Sequence, residues 1–303
     1  VASIIEKLIG YVELARPHNL LVSALTTTIG YLVVASHLKS YGLNPLIPIA
    51  TVTLVAAGGY TINDYYDADV DSINKPYRPI PSGRVARQEA LVFSIALTVV
   101  GVSLSIVSGL ITFLFAVANA VLVHAYSRTI KTTGFLGNIV VSLQGANSIV
   151  YGGLALSEYE ASLSLALYAL LPAIYAFALL LSREVVKTIE DMEADAVRGV
   201  KSLPRVLGPR IAANVAAIFA AFVVVISPIP YFFGFGIVYL TLASLTDIII
   251  IYSIYRLLRK DFKSNPIEVS SKVRSIMKVA IFVGSMAFLI DALLKVTSFS
   301  LLP

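Results

Sequence analysis

Four aspartates, Asp64, Asp67, Asp69 and Asp71, crowd into a short run, with Asn63 ahead of them and Lys75 and Arg78 behind. More than a hundred residues later a second acidic stretch follows, Glu190-Asp191-Met192-Glu193-Ala194-Asp195. On a helix, Asp64, Asp67 and Asp71 share one face at i, i+3 and i+7 with Asn63 beside them, and Asp191 and Asp195 share another at i and i+4. Carboxylates held that close repel one another, so something cationic must lie between them. Mg²⁺ suits such a set, because it takes oxygen ligands and is commonly shared between a few carboxylates and the phosphate oxygens of a substrate. The chain has no cysteine and only three scattered histidines, so it offers a softer metal nothing to prefer. Asn63, Asp64, Asp67, Asp71, Asp191 and Asp195 are therefore the candidate metal ligands, facing each other across one metal-diphosphate site.

A metal-bridged phosphate still carries negative charge, and the neighbouring loops supply donors for it. Lys75 and Arg78 follow the first stretch, and Tyr126, Ser127, Arg128 and Lys131 form a second group. Cations fixed in advance around a departing phosphate are a general means of stabilising it. The competing explanation is a solvated surface of ordinary ion pairs. That explanation suits Asp69 and Glu193, which point off the shared faces. It also suits Arg84, Arg87, Arg205, Arg210 and the run from Arg256 to Lys263, which read as topology signals or headgroup contacts.

The elements that must position these groups are apolar. Of 303 residues, 57% are hydrophobic and 14% charged, and the mean hydropathy is +0.85, outside the soluble globular range. Between Leu20 and Ile62 the only charged side chain is Lys39. A helix crosses the hydrocarbon in about 20 apolar residues and satisfies its own backbone hydrogen bonds there. Apolar runs divided by charge, proline and glycine predict nine spans, near 17–37, 45–66, 89–109, 111–127, 134–156, 162–184, 211–228, 232–256 and 276–296. With the N-terminus inside and the C-terminus outside, all of the 23 Lys and Arg except Lys39 and Lys295 fall on the cytoplasmic side. The same arrangement puts both acidic stretches on that side and leaves Glu158 and Glu160 opposite. Residues 1–9 lack a small-residue cleavage pattern, so the first span is expected to serve as its own insertion signal. The net charge of +5 is thus a matter of membrane topology, and no nucleic-acid partner is expected.

Each acidic stretch ends an apolar span and runs into a basic, proline-containing loop. Lys75 to Gly83 follows the first, and Arg198-Gly199-Val200-Lys201-Ser202-Leu203-Pro204 to Gly208 follows the second. The four-span step between them suggests one domain over residues 1–303, with an internal repeat of about four helices carrying motifs at 63–83 and 190–208.

These residues resemble a known family. Asn63-Asp64-x-x-Asp67-x-x-x-Asp71 with Arg78-Pro79-Ile80-Pro81-Ser82-Gly83, and Asp191-x-x-x-Asp195 with Gly199 and Ser202-Leu203-Pro204, are similar to the two signatures of the UbiA superfamily of intramembrane prenyltransferases. Arg16-Pro17-His18-Asn19 and the stretch from Tyr126 to Lys131 are similar to it as well. The resemblance implies an all-α bundle of nine transmembrane helices around a central cavity, with two Mg²⁺ ions between the acidic motifs gripping an isoprenyl diphosphate. Transfer of the prenyl group to a lipophilic acceptor in the cell membrane would follow, with Lys131 among the catalytic residues. Within the superfamily, Arg183-Glu184-Val185-Val186-Lys187 and Lys131 to Asn138 look most like the archaeal digeranylgeranylglyceryl phosphate synthases, which makes Lys187 a substrate contact. An aromatic acceptor such as 4-hydroxybenzoate is the alternative, and there Arg16 with Asn19 would meet its carboxylate.

Asn119, Gln144, Asn147, Asp247 and Asp291 lie within spans, where polar groups are expected to face the bundle and find partners. Buried acids in a repeated bundle also fit a secondary transporter. Transporter sites, however, are expected near the midplane on broken helices, whereas these carboxylates gather at one face.

Overall fold

The computed structural model describes residues 3–38, 41–197 and 199–300; Lys39 and Arg198, both used in the sequence reading, lie outside them. Among the described residues there is no strand. The helices in chain order are α1 (Ile4–Ala15), α2 (Pro17–Ala35), α3 (Leu46–Asn74), α4 (Arg87–Leu104), α5 (Leu110–Arg128), α6 (Phe135–Tyr159), α7 (Ala166–Glu190), α8 (Met192–Val197), α9 (Leu203–Leu207), α10 (Pro209–Ile226), α11 (Ile229–Phe232), α12 (Ile237–Leu258) and α13 (Pro266–Ser300). Nine segments among the described residues are long and apolar enough to cross a membrane, in agreement with the nine expected spans.

The first of these segments is broken. Ser3 and Glu6 form a capping box that starts α1, and the helix ends at Arg16, whose backbone turns left-handed at φ 52° and ψ 66°. Pro17 follows, and a residue before proline is driven from the helical region, so the chain bends here. α2 then spans alone, 19 residues or roughly 28 Å of helix. α1 instead buries Leu14 against Val85 and Ala90 and sets Tyr11 against Phe93, ring centroids 4.9 Å apart. Ile4, Ile5, Leu8 and Val12 remain exposed on it, the composition of a helix lying in a membrane interface.

The interior is assembled around α2, α6 and α7. Gly30 of α2 meets Gly152 and Gly153 of α6 so closely that a Cβ on Gly30 would lie 1.8 Å from the Ile149 carbonyl oxygen, and one on Gly152 would lie 2.0 Å from that of Thr27. Such small-residue crossings replace the hydrophobic drive that is missing between helices in lipid. One face of α7, with Val185, Val186 and Ile189, joins Ala212, Ala213 and Ala216 of α10 and Ile250 of α12 in the largest buried cluster.

Interhelical contacts at the ends give the bundle two chemically different rims. At one, Glu158 accepts from the Ile111 and Thr112 amides at 2.8 and 2.6 Å and so caps α5. Glu160 accepts from the Gly42 amide at 2.6 Å nearby. At the other rim lie the N-terminus of α2, the C-termini of α3, α5 and α7, and both basic loops. Two long-range contacts tie that rim together. Arg274 at the start of α13 pairs with Glu190 at 2.8 Å, and Gly134 before α6, at φ 74°, would place a Cβ 2.1 Å from the Lys201 carbonyl oxygen. Only glycine allows the loop after α5 to lie against the loop after the second acidic stretch.

Candidate active site

α3 continues helically through the first acidic stretch to Asn74, eight residues past the expected end of its span. The i, i+3, i+7 spacing is therefore realised, and Asp64 and Asp71 point inward, 6% and 5% exposed. At such burial each charge needs a partner. Arg78 provides one for both, its Nη1 donating to Asp71 Oδ2 at 2.6 Å and to Asp64 Oδ1 at 3.1 Å. Arg16 also donates to Asp64 Oδ1, and its guanidinium stands 5.4 Å from the centre of the Tyr60 ring. The bend after α1 is what delivers that guanidinium to α3.

One turn along, Asn63 Nδ2 donates to Asp67 Oδ2 at 3.0 Å, while Lys131 Nζ donates to Asp67 Oδ1 at 2.5 Å and to Asn63 Oδ1 at 3.2 Å. Lys131 arrives on a short 3₁₀ turn, Ile130–Thr132, directly after α5. Seven of the expected residues thus pair on α3 in two neighbouring groups of oxygens and cationic nitrogens, Arg16, Asp64, Asp71 and Arg78 in one and Asn63, Asp67 and Lys131 in the other. Asp69, as expected, points away. It is exposed and pairs with Arg87 at 3.1 Å, and Arg87 in turn lies over the Tyr65 ring. Arg84 is likewise engaged elsewhere, with Glu13 of α1 at 2.6 Å.

The second stretch has a looser setting. Asp191 caps the C-terminus of α7, and α8 restarts at Met192. The Asp195 amide donates to the Asp191 carbonyl at 2.8 Å, so the two aspartates keep their one-turn relation across this break. Both are half-buried, and Glu193 is exposed as expected. Arg205 of α9 donates from Nη1 to the Asp195 carbonyl at 3.0 Å and also reaches that of Val200, which stitches the loop closed.

Of the remaining expected residues, Ser127 is buried, Lys75, Tyr126 and Asn19 are half-buried, and Arg128 is exposed. Lys75 is the C-cap of α3, and its carbonyl accepts from the Arg78 amide at 3.0 Å, so it shapes the loop that carries Arg78. Tyr126 stands at the C-terminal end of α5, beside Ser127. Lys187 Nζ stands 4.0 Å from Glu184 Oε2, and Arg183 Nη1 donates to Glu184 Oε1 at 2.5 Å. Sequence reasoning did not single out Glu184 as an organising group. Its signal was available in the alternation of charge at 183, 184 and 187.

Four of the five polar residues singled out inside the spans have structural partners. Asn147 donates to Asn119 at 2.6 Å between α6 and α5, and the Ser227 hydroxyl donates to Asp247 at 2.5 Å. Asp291 of α13 accepts from the Gly236 amide at 2.8 Å ahead of α12 and pairs with Lys295 at 3.0 Å. The Gln144 amide nitrogen is buried and has no hydrogen-bond partner among the described residues.

The donor set suits Mg²⁺. The side chains of the two acidic stretches that face the rim are all oxygen donors, and no imidazole or thiolate lies among them. Among the described residues no three carboxylate or imidazole groups converge into a complete cage. Such a rim fits an ion that takes one or two carboxylates and completes its shell with water and substrate phosphate.

The fold and the sequence agree with one set of known proteins. The digeranylgeranylglyceryl phosphate synthase of Hyperthermus butylicus is 44% identical over 297 residues, covering 94% of this chain and 97% of that protein. That of Saccharolobus solfataricus is 39% identical over 285 residues, with 94% and 97% covered. A solved structure of digeranylgeranylglyceryl phosphate synthase matches with a TM-score of 0.78 at 32% identity, over 95% of this chain and 99% of that one. A UbiA homologue from Archaeoglobus fulgidus, solved with DMAPP and Mg²⁺, shares the fold at a TM-score of 0.64 and 20% identity, over 90% of this chain and 99% of that one. The family model of the UbiA prenyltransferases matches residues 23–282, and this multi-pass membrane protein belongs to that family.

Proposed function

We propose that this chain transfers a geranylgeranyl group from its diphosphate to the free glycerol hydroxyl of geranylgeranylglyceryl phosphate, within the membrane and with Mg²⁺. The observation that carries this is the paired array of Asn63, Asp64, Asp67, Asp71, Arg78 and Lys131 at one rim of an apolar bundle, in a chain 44% identical to a digeranylgeranylglyceryl phosphate synthase.

Asn63, Asp64, Asp67 and Asp71 on α3, with Asp191 and Asp195 beyond α7, would hold the metal, and two ions are expected. Bound Mg²⁺ would withdraw electron density from the diphosphate oxygens and so make the diphosphate a better leaving group. The chain's own cations share that task. Arg78 and Lys131 already stand among the carboxylates and are poised to turn toward an incoming diphosphate, with Lys75, Tyr126, Ser127 and Arg128 as further donors at its edge. Arg16 orients Asp64 through its hydrogen bond, and Asn19 follows it in the first turn of α2.

The allylic C–O bond breaks with its electron pair going to the diphosphate. The acceptor hydroxyl oxygen forms the new C–O bond and releases its proton. Water would compete for the allylic cation, and helices embedded in lipid keep it away. The clustering of Lys and Arg favours the cytoplasmic side of the cell membrane for this rim, with the N-terminus inside and the C-terminus outside.

The test is turnover by purified protein given radiolabelled geranylgeranyl diphosphate, Mg²⁺ and either a glyceryl-ether phosphate or 4-hydroxybenzoate. Product from the ether phosphate is expected. Product from the aromatic alone would overturn the acceptor, and activity that persists in EDTA would overturn the metal.

A further inference from the structure

Arg183, Glu184 and Lys187 make a charged cluster on α7 that the diphosphate array does not use. The opposite face of this helix is committed to the core. Leu181, Ser182, Val185, Val186 and Ile189 are at most 1% exposed, and the Ser182 hydroxyl donates to the Ala216 carbonyl at 2.7 Å. The three charged residues emerge on the remaining face, with Arg183 and Glu184 side chains 19% and 18% exposed. Two cations share one carboxylate. Arg183 engages it through Nη1, and Lys187 stands off at 4.0 Å, beyond hydrogen-bonding distance. A structural ion pair needs one cation for one carboxylate, so one positive charge is left over, and Lys187, with its side chain 42% exposed, is the one open to an anion.

The position of the cluster narrows the anion. Arg183, Lys187 and Asp191 follow one another at intervals of four residues, so they lie along one stripe of α7. By the helical rise Lys187 is about 6 Å and Arg183 about 12 Å from Asp191, toward the middle of the span. Asp191, where that stripe ends, is one of the candidate metal ligands, so the cluster lies on the helix that leads into the diphosphate array. The diphosphate has its own cations in Arg78 and Lys131. A second phosphate is therefore the anion left to place, and on a glycerol backbone the free hydroxyl lies only a few atoms from it.

We infer that Arg183 and Lys187 form the subsite for the phosphate of the acceptor lipid, with Glu184 as the counter-ion that holds them until the acceptor arrives. This rests on the proposed reaction. It makes α7 bifunctional: its C-terminal end serves the donor, and the turns before it select a phosphorylated acceptor.

The experiment compares Lys187→Gln and Arg183→Gln with the unmodified protein, measuring KM separately for geranylgeranyl diphosphate and for the glyceryl-ether phosphate. The same glyceryl ether without its phosphate is run as a third substrate. Losing one charged hydrogen bond should raise the acceptor KM about tenfold or more and leave the donor KM within about twofold. The preference for the phosphorylated over the unphosphorylated ether should shrink by the same factor, and Lys187→Arg should restore most of it. A rise shared equally by the donor, or an intact preference for the phosphate, overturns the subsite. Should Arg183→Gln fail to fold, the half-exposed Lys187 carries the test alone. An unmodified protein inert toward the ether phosphate would overturn the proposed reaction, whereas an active one with unchanged variants overturns only the subsite.

Discussion

Asp64 and Asp71 lie inside a helix that runs on past them to Asn74, almost sealed from solvent and bridged by one arginine. Asp191, by contrast, caps a helix end, and Asp195 sits in a six-residue helix after the break. Among the described residues the Asp191 carboxylate has no ion pair, while Asp64 has two. Sequence spacing alone makes the two stretches equivalent, and their surroundings do not. In the first, negative charge is neutralised by the chain itself, so its carboxylates are fixed before any ligand comes. In the second, relative position depends on a turn closed by backbone hydrogen bonds and by Arg205. A binding site with one rigid and one adjustable side can admit a bulky amphiphile and still grip its diphosphate.

That contrast can be broken first through stability. Arg78→Met leaves two buried carboxylates short of a partner and should cost about 3–5 kcal/mol, read as a lowered thermal midpoint in detergent. Asp191→Asn should stay within about 0.5 kcal/mol of the unmodified protein. Equal effects would erase the distinction between the two sides. Activity should instead treat them alike. Asp64→Ala and Asp191→Ala are each expected to lower radiolabelled prenyl transfer about 10²- to 10³-fold, and survival of activity in either variant would remove that side from the site. Gly134→Ala probes the junction between the halves. A methyl group there must push away the Lys201 backbone while occupying a positive φ, at a cost of about 1–3 kcal/mol in thermal unfolding. Asp69→Asn is the smallest step. It loses an exposed pair with Arg87, so stability should shift by less than about 1 kcal/mol and initial rates should barely move.

The spans were legible because bilayer thickness dictates their length, and the predicted runs agree with the helices except at their ends. α3 outlasts its apolar stretch because helical geometry is what turns Asp64, Asp67 and Asp71 to one side, and hydropathy counts those residues as loop. Within the site, Arg78 and Lys131 could be anticipated from their nearness to the acidic runs. The pairing of Arg16 with Asp64 could not, since 48 residues separate them and only the bend before Pro17 brings them together. The reading of Arg16 as a carboxylate contact holds for an aromatic acceptor only, and in the fold the same guanidinium pairs with Asp64. The cluster at Arg183, Glu184 and Lys187 was half visible. The residues were noticed as a resemblance, but a surplus of charge on one helical face emerges only once the opposite face is known to be buried.

The left-handed corner at Arg16 carries an evolutionary consequence. The residue that bends the chain is also the one that delivers a guanidinium to Asp64, so the angle of α1 and the electrostatics of α3 cannot drift independently. α1 is seated through Gly10, where a Cβ would come within 2.7 Å of Val85, and through Leu14, which is fully buried. Substitutions at these positions act on the site through the lever of a surface helix. Whether one is tolerated will depend on what occupies Val85 and Pro79, so this corner should be a centre of epistasis, where homologous segments exchange as a block or fail singly.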